Sequence, residues 1–300
     1  MKLNDKYIAI VDQIINKMES ENLNISKMLN HIRPMRSSGE MYRGINLINL
    51  MLFTEIKADI SDYWFTFLKA KELGAKLKKG SKSLPVFYFG MYGINENGKR
   101  IYGDNVDEEK HKVIKFMRVS PVFNANLFEG LDEKYYTHNS TSTEIKELEN
   151  YFNLLNIKLL YQNTETPHFD IDDDLISMPE KIRFTKSEYY YAVLFHEVVH
   201  WTGHKDRLNR KSLYSDDKES YAFEELVAEI GATFLCSRLG IESTVDDNHV
   251  DYLNTYIKIL KNDKRLLMKA SSKAQEAVDY IFELFDKHQN TEDIKLQKYS

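Results

Sequence analysis

Two histidines and a glutamate stand at a spacing that suits metal chemistry, in the segment His196-Glu197-Val198-Val199-His200. On a helix, residues four apart project from one face, so both imidazoles can bind a single Zn²⁺ at about 2.0–2.1 Å. Glu197 would then lie beside a water on the metal rather than on the metal itself. The pattern predicts a zinc site in which Glu197 acts as the general base when water attacks an amide carbonyl.

The predicted helix is apolar around this motif. Its large apolar residues are Tyr190, Tyr191, Val193, Leu194, Phe195, Val198 and Val199. Two histidines and a glutamate in a buried helix are costly to desolvate, and a bound metal ion would compensate that cost. The alternative interpretation is a solvated polar stripe that contains two satisfied histidines.

A catalytic zinc ion needs a third protein ligand, and two glutamates on a second predicted helix could supply it. Glu225 and Glu229 are four residues apart and share a face. We favour Glu225 as the metal ligand and Glu229 as the support of a ligating histidine. Asp206, which follows a turn after the motif, is an alternative third ligand. His204 is a further candidate, although a histidine there more commonly caps the helix end.

The composition of the chain limits the classes of protein to which it can belong. The chain has 300 residues, one cysteine and a net charge of −5. Residues 1–150 carry 22 Lys and Arg against 20 Asp and Glu, and residues 151–300 carry 19 against 26. Neither half is basic enough to indicate nucleic-acid binding by charge alone. No secretion signal or membrane-spanning apolar run is visible, and the single cysteine, Cys236, can form no intramolecular disulfide, so we expect a cytoplasmic protein without membrane contact.

The pattern of elements predicts an α+β protein with two domains. Residues 1–136 alternate helical and strand patterns, and we assign them to an N-terminal mixed α+β domain. The small polar residues 137–143 predict a linker. Residues 144–300 form the second domain, with short strands near 157–161, 168–171 and 175–178 followed by a mostly helical region.

The N-terminal half combines cations with aromatic residues, as single-strand-binding proteins do. The candidate DNA-binding residues are Arg43, Trp64, Lys69, Lys71, Lys76, Lys78, Lys79 and Lys82. Tyr42, Trp64 and Tyr88 are the aromatic residues that we expect to be exposed. The alternative is a solvated lysine face on a domain whose aromatic residues are core. If the segment binds DNA, contacts should be mainly to phosphates, with little sequence preference.

Several segments resemble the ArdC-type antirestriction proteins of conjugative plasmids and other mobile elements. The resemblance is most specific in Tyr190–His204 and Tyr221–Ala232, and it also covers Arg207-Leu208-Asn209-Arg210. Weaker matches in the first half are Tyr42–Asn46, Tyr63–Phe67, Lys69–Gly74, Lys78–Lys82 and Val122–Asn124. The matches run in order over most of residues 34–240. Residues 240–300 carry no motif that assigns them a role.

This resemblance implies an N-terminal single-stranded DNA-binding domain and a C-terminal zincin-like (gluzincin-like) metallopeptidase with one catalytic zinc ion. His196 and His200 would be metal ligands together with a glutamate of the Glu224–Glu229 segment. The whole protein would protect incoming DNA from restriction enzymes, with an unidentified protein as the peptidase substrate. Two alternatives remain: a single-strand-coating protein whose metal site is structural or inactive, and a cytosolic zinc peptidase with no DNA role.

Overall fold

The computed structural model of the protein has the predicted α+β fold, divided into two compact units. The residues that it describes are 5–22, 32–54, 60–103, 106–107, 109–136, 148–149, 152–153, 155–162, 166–241 and 253–298, with side chains described as far as 287. The linker predicted at 137–143 lies outside these residues. None of the described helices combines the length and the apolar character needed to cross a membrane.

The chain passes between the two units several times. The first unit contains residues 1–13, 34–42 and 57–138, and the second contains 14–33, 43–56 and 139–300. Two early segments therefore fold with the second unit, whereas the sequence pattern placed everything before residue 137 in one domain.

The first unit contains a five-stranded sheet in the order β1-β2-β6-β4-β5 and a two-stranded sheet of β3 and β7. Its strands are β1 (Met35–Arg36), β2 (Tyr63–Phe65), β3 (Lys76–Leu77), β4 (Leu84–Ile94), β5 (Arg100–Tyr102), β6 (Lys112–Asn124) and β7 (Phe128–Glu129). Helix α1 (Asp5–Glu21) begins in this unit, and α3 (Phe67–Glu72) lies wholly within it. The hydroxyl of Thr66 caps α3 by accepting a hydrogen bond from the Lys69 amide at 3.2 Å.

In this unit, two of the three aromatic residues expected at the surface are buried instead. Trp64 is 4% exposed, on strand β2, which lies between β1 and β6 in the sheet. Tyr42 is 7% exposed, and burial raises the pKa of its phenol while nearby Arg36 lowers it. Tyr88 alone follows the expectation, with 60% of its surface exposed.

The second unit packs helices with a small sheet. Strand β8 (Lys158–Tyr161) pairs in parallel with β10 (Leu175–Met178), which pairs antiparallel with β9 (His168–Asp170). The helices of the described residues here are α2 (Ile45–Phe53), α4 (Ser187–Thr202), α5 (Lys218–Leu239), α6 (Leu253–Asn262) and α7 (Arg265–Lys298).

Helices α4 and α5 are buried on nearly all sides, as expected of helices that are apolar around their circumference. The side chain of Asp217 caps α5 by accepting hydrogen bonds from the amides of Glu219 and Ser220 at 3.1 and 2.9 Å. The two helices approach closely at Gly231, where an added Cβ would lie 2.7 Å from Cγ2 of Val199. This contact brings α5 against the part of α4 that carries the histidines.

Candidate metal centre

Helix α4 places the first three residues of the site. His196, Glu197 and His200 lie in its last two turns, and each is 6–7% exposed. The imidazoles stand on one face because they are four residues apart, with Nε2 atoms 3.1 Å apart. The motif is therefore helical and buried, which are the two conditions on which the sequence argument depended.

Helix α5 brings one carboxylate to this imidazole pair. The Glu225 Oε2 atom lies 3.3 Å from Nε2 of His196, and its Oε1 atom lies 3.4 Å from Nε2 of His200. Glu225 is 5% exposed. Each of the three residues offers one ligand atom, and these atoms lie within 4.8 Å of one another.

These separations fit a single divalent metal ion. Atoms bound tetrahedrally at about 2.0–2.1 Å from an ion are about 3.3 Å apart, which matches the 3.1–3.4 Å spacings of the cluster. Imidazole nitrogen and carboxylate oxygen are ligands that zinc accepts. The donor set and its geometry both suit a divalent cation.

Burial and charge act in opposite directions on the histidines. Burial lowers the pKa of His200, but the carboxylates of Glu225 and Glu224 outweigh it and raise that pKa to about 10. The pKa of His196 is raised in the same way, chiefly by Glu225. Burial raises the pKa of Glu225, and the two imidazoles more than reverse that shift. The carboxylates therefore give the cluster a potential that favours cations.

A buried arginine anchors a second glutamate behind His200. Arg210 Nη2 donates to Oε1 of Glu224 at 2.6 Å, and the same nitrogen donates to the Val199 carbonyl at 2.6 Å. Glu224 Oε1 lies 3.4 Å from Nδ1 of His200, an ion-pair distance without the alignment of a hydrogen bond. Burial raises the pKa of Glu224, but His200 and Arg210 lower it to about 2. Glu224 is thus a carboxylate held against the imidazole of His200.

The sequence interpretation did not assign roles to Glu224 and Arg210. It proposed Glu229 as the support of a histidine, and Glu229 lies buried on α5 one turn beyond Glu225. Glu224 precedes Glu225 directly, so the only available signal was the unusual run of acidic residues in an apolar helix. The distance of 14 residues between Arg210 and Glu224 gives no helical register that could have identified the pair.

The two alternative metal ligands lie elsewhere. Asp206 has a side chain that is 75% exposed, and its carboxylate is 3.5 Å from Nδ1 of His204. His204 is itself 5% exposed, with its ring edge-on to Phe169 at 6.4 Å. Among the described residues, neither belongs to the cluster of His196, His200 and Glu225.

The candidate DNA-binding residues divide between the two units. The six lysines are exposed in the first unit: Lys69, Lys71, Lys76, Lys78, Lys79 and Lys82. Lys69 pairs with Glu72 at 3.3 Å, and Lys78 donates to the Asn126 carbonyl at 2.9 Å. Arg43 belongs to the second unit, where it forms an ion pair with Asp279.

Two protein families match the chain. The zincin-like metallopeptidase family matches residues 146–273, and the N-terminal domain of anti-restriction factor ArdC matches residues 4–123. A DNA primase TraC of Escherichia coli is 29% identical over 252 residues, which are 82% of this chain and 17% of that protein. The chain thus spans less than a fifth of that primase. The uncharacterized protein y4eC of Sinorhizobium fredii is 25% identical over 82% of this chain and 79% of its own length.

Two solved structures are similar over nearly the whole chain. The metal-free crystal structure of antirestriction protein ArdC from plasmid R388 is 36% identical, with a TM-score of 0.78, over 94% of this chain and 98% of that one. The Mn(II)-bound structure of that protein is 37% identical, with a TM-score of 0.74, over 93% and 97%. With both of its halves matched and this identity along its length, the chain belongs to the ArdC family of antirestriction proteins.

Proposed function

We propose that this protein protects DNA from restriction by binding single strands through its first unit, and that its second unit carries a zinc-dependent peptidase site. One observation carries the enzymatic part. The ligand atoms of His196, His200 and Glu225 converge within 4.8 Å on two buried helices, with Glu197 next to the first ligand. The match to zincin-like metallopeptidases supports this interpretation.

The number of ligands favours a catalytic metal over a structural one. Structural zinc sites have four protein ligands, whereas catalytic sites have three and an open position. Among the described residues the cluster has three members. His204 and Asp206, which could have supplied a fourth ligand, pair with each other. Manganese is the ion bound in the related R388 structure, so both Zn²⁺ and Mn²⁺ are candidate ions for this site.

Glu197 is placed to move a proton. An ion bound by the three ligands would supply a Lewis acid that polarises a carbonyl and lowers the pKa of water. The Glu197 carboxylate is 6% exposed beside His196, where it can take a proton from the attacking water and pass it to the leaving amine. In a buried site this carboxylate acts with little competition from solvent.

The DNA-binding part is supported by the charge of the first unit. Six exposed lysines of this unit lie within Lys69–Lys82, in α3 and the β3 region. Such cations bind phosphates without reading sequence, and each neutralised phosphate of a single strand lowers the slope of log K against log[salt] by about 0.7. Trp64 has no part in this surface because it is buried.

Three variants test the proposal when metal content, affinity for a labelled oligo(dT) strand and cleavage of candidate proteins are measured for each. Glu197→Gln should keep metal and DNA binding and lose proteolysis. His196→Ala should lose metal and proteolysis and keep DNA binding. Glu188→Gln, the same change in the first turn of α4, is the matched control and should behave as wild type.

The biological readout is protection of unmodified plasmid DNA as it enters a cell with an active restriction system. Loss of protection in Glu197→Gln, with metal and DNA binding intact, would tie antirestriction to catalysis. Full protection by Glu197→Gln would instead favour a single-strand-coating protein. Stoichiometric metal in His196→Ala would show that the ligand assignment is wrong.

A further inference from the structure

One face of the first unit's sheet carries a row of aromatic side chains, of which the sequence predicted an exposed position only for Tyr88. In antiparallel strands, residues directly opposite each other point to the same side. The register pairs Tyr88 with Arg118, Gly90 with Phe116 and Tyr92 with Tyr102. We call this face the aromatic ladder; its members are Tyr88, Tyr92, Tyr102, Phe116, Arg100 and Arg118.

The rings of the ladder follow one another at even spacing. The ring centroids of Tyr88 and Phe116 are 6.1 Å apart, those of Phe116 and Tyr92 are 6.0 Å apart, and those of Tyr92 and Tyr102 are 5.7 Å apart. Neighbouring planes are tilted by 41–45°, so none of these pairs is stacked face to face. The faces of the rings are therefore not covered by the neighbouring rings.

A glycine in the middle of the ladder makes room for the rings. A Cβ added at Gly90 would lie 2.6 Å from Cζ of Phe116 and 2.9 Å from Cε1 of Tyr88. The two rings therefore lean over the bare backbone of β4. Any side chain at this position would push them apart and break the row.

Arginines close both ends of the ladder. The Arg118 guanidinium carbon is 5.0 Å from the Phe116 ring centroid, and that of Arg100 is 4.9 Å from the Tyr92 ring centroid. The three strands also carry Lys112 and Lys115, and they contain no Asp or Glu. This part of the sheet is therefore positively charged although the whole chain is acidic.

Part of the opposite face of the same strands serves a structural purpose that the ladder does not. There Phe87 is 3% exposed and packs edge-on against Tyr7 of α1 at 5.7 Å. On the ladder face, by contrast, Tyr88 is 60% exposed and Tyr102 is 52% exposed. Core packing accounts for Phe87 and leaves the exposed tyrosines without a structural reason.

We propose that the aromatic ladder is the surface on which bases of single-stranded DNA stack, with Arg100 and Arg118 contacting the adjoining phosphates. The proposal rests on the DNA-binding function proposed above and assigns it to residues outside Lys69–Lys82, which we call the lysine segment. Aromatic rings bind bases of any sequence because every base has a π face, and flanking cations track the backbone. A duplex cannot use this surface, since its bases are already stacked and paired.

The ladder and the lysines then make separable contributions. Stacking requires bases and depends little on salt, whereas the lysines require only phosphates and depend on salt strongly. An abasic strand keeps the second contribution and loses the first. This difference separates the ladder from non-specific attraction to a polyanion.

The test measures the anisotropy of labelled oligo(dT) strands, about 15 nucleotides long, with the full chain and four variants. Tyr88→Leu and Tyr102→Leu should each weaken binding by about 5-fold or more, the loss expected for one stacked base. Arg118→Gln should reduce the salt slope by about 0.7. Phe89→Leu is the matched control, since Phe89 is 40% exposed on the opposite face of β4. Thermal melting verifies that every variant is folded.

A second arm compares strands. The abasic strand should bind wild type and Tyr88→Leu equally, and both more weakly than oligo(dT) binds wild type. If the tyrosine variants bind oligo(dT) as tightly as wild type does, or if Phe89→Leu loses as much affinity as they do, the ladder proposal is overturned. The proposed DNA-binding function would still stand. If wild type fails to bind oligo(dT) even at low salt, both fall. If wild type binds oligo(rU) more tightly than oligo(dT) through the same rings, the assignment to DNA is overturned.

Discussion

At the scale of single residues, a buried ion pair lies behind the candidate metal centre without belonging to its proposed ligands. Arg210 and Glu224 have side chains that are 3% and 1% exposed. Burying two charges costs as much as their attraction returns, so such pairs seldom stabilise a fold better than apolar residues would. Arg210 also donates to Thr202 Oγ1 at 2.7 Å. We infer that the pair fixes Glu224 against His200 and ties α4 to α5.

Replacement of Arg210 by methionine should reveal this role. Arg210→Met leaves the buried Glu224 without its arginine partner, which should reduce the free energy of unfolding by about 3–5 kcal/mol. Loss of the oriented carboxylate should also weaken metal binding by about 10–100-fold. Guanidinium unfolding and a competition assay with a metal-binding dye measure the two effects.

The double variant Arg210→Met, Glu224→Leu separates stability from positioning. It removes both charges, so most of the lost unfolding free energy should return, while metal affinity should stay low because His200 lacks its carboxylate. Recovery of metal affinity together with stability would show that the pair is structural only.

At the scale of elements, a second arginine joins the small sheet to the end of α4. Arg207 donates through both terminal guanidinium nitrogens, Nη1 and Nη2, to Asp174 in the turn between β9 and β10, with Nη1 3.1 Å from Oδ2. The same guanidinium lies over the Trp201 ring at 4.1 Å. The hydrogen bond from Arg207 lowers the pKa of Asp174. The small sheet and α4 are thus linked through the Asp174 carboxylate, which loses its charge when the pH is low enough to protonate it.

The sign of this pH effect follows from the lowered pKa. A carboxyl group whose pKa is lower when folded stabilises the protein above its unfolded pKa, near about 3.9, and that stability is lost as pH falls. Asp174→Asn should therefore reduce the free energy of unfolding at pH 7 by at most about 1 kcal/mol, since Asp174 is a third exposed. The difference from wild type should shrink below about pH 4. Urea unfolding from pH 7 to pH 3 measures it.

Asp174→Asn should not strain the backbone, because asparagine tolerates the positive φ of 49° at this position. Asp173→Asn, one residue earlier and exposed, is the matched control and should leave stability unchanged at each pH. An equal effect of both substitutions would mean that the Asp174–Arg207 pair contributes nothing.

At the scale of the whole molecule, the two compact units should respond differently to metal. The metal cluster lies entirely within the second unit, and the lysine segment and aromatic ladder lie within the first. A chain of two compact units need not unfold in one step, so a ligand of one unit can shift one transition alone.

Calorimetry of protein treated with a chelator, before and after Zn²⁺ or Mn²⁺ is restored, tests this expectation. At a metal concentration about 100-fold above Kd, the midpoint of one transition should rise by roughly 5–10 °C and the other should not move. His196→Ala should abolish the shift. A uniform rise across the whole thermogram would contradict a metal site confined to one unit.

Much of this architecture could be predicted from local patterns. The helix of the histidine motif, the acidic helix after it and the three short strands of the second unit all follow from periodicity along the chain. The spacing of His196 and His200 needs nothing beyond helical geometry, because four residues make about one turn. Strand β5 was not predicted, since three residues between turns carry too little pattern.

The sequence by itself determined which chemistry the protein carries: two imidazoles one turn apart, a glutamate beside the first, and acidic residues on a later helix. Only the tertiary structure decided which partners meet. It brought Glu225 to the imidazoles, Glu224 to Arg210, and the aromatic residues of three strands into one row, and it buried Trp64. The reason is physical, because helix packing and strand register join residues that are distant along the chain, and no local period encodes those contacts.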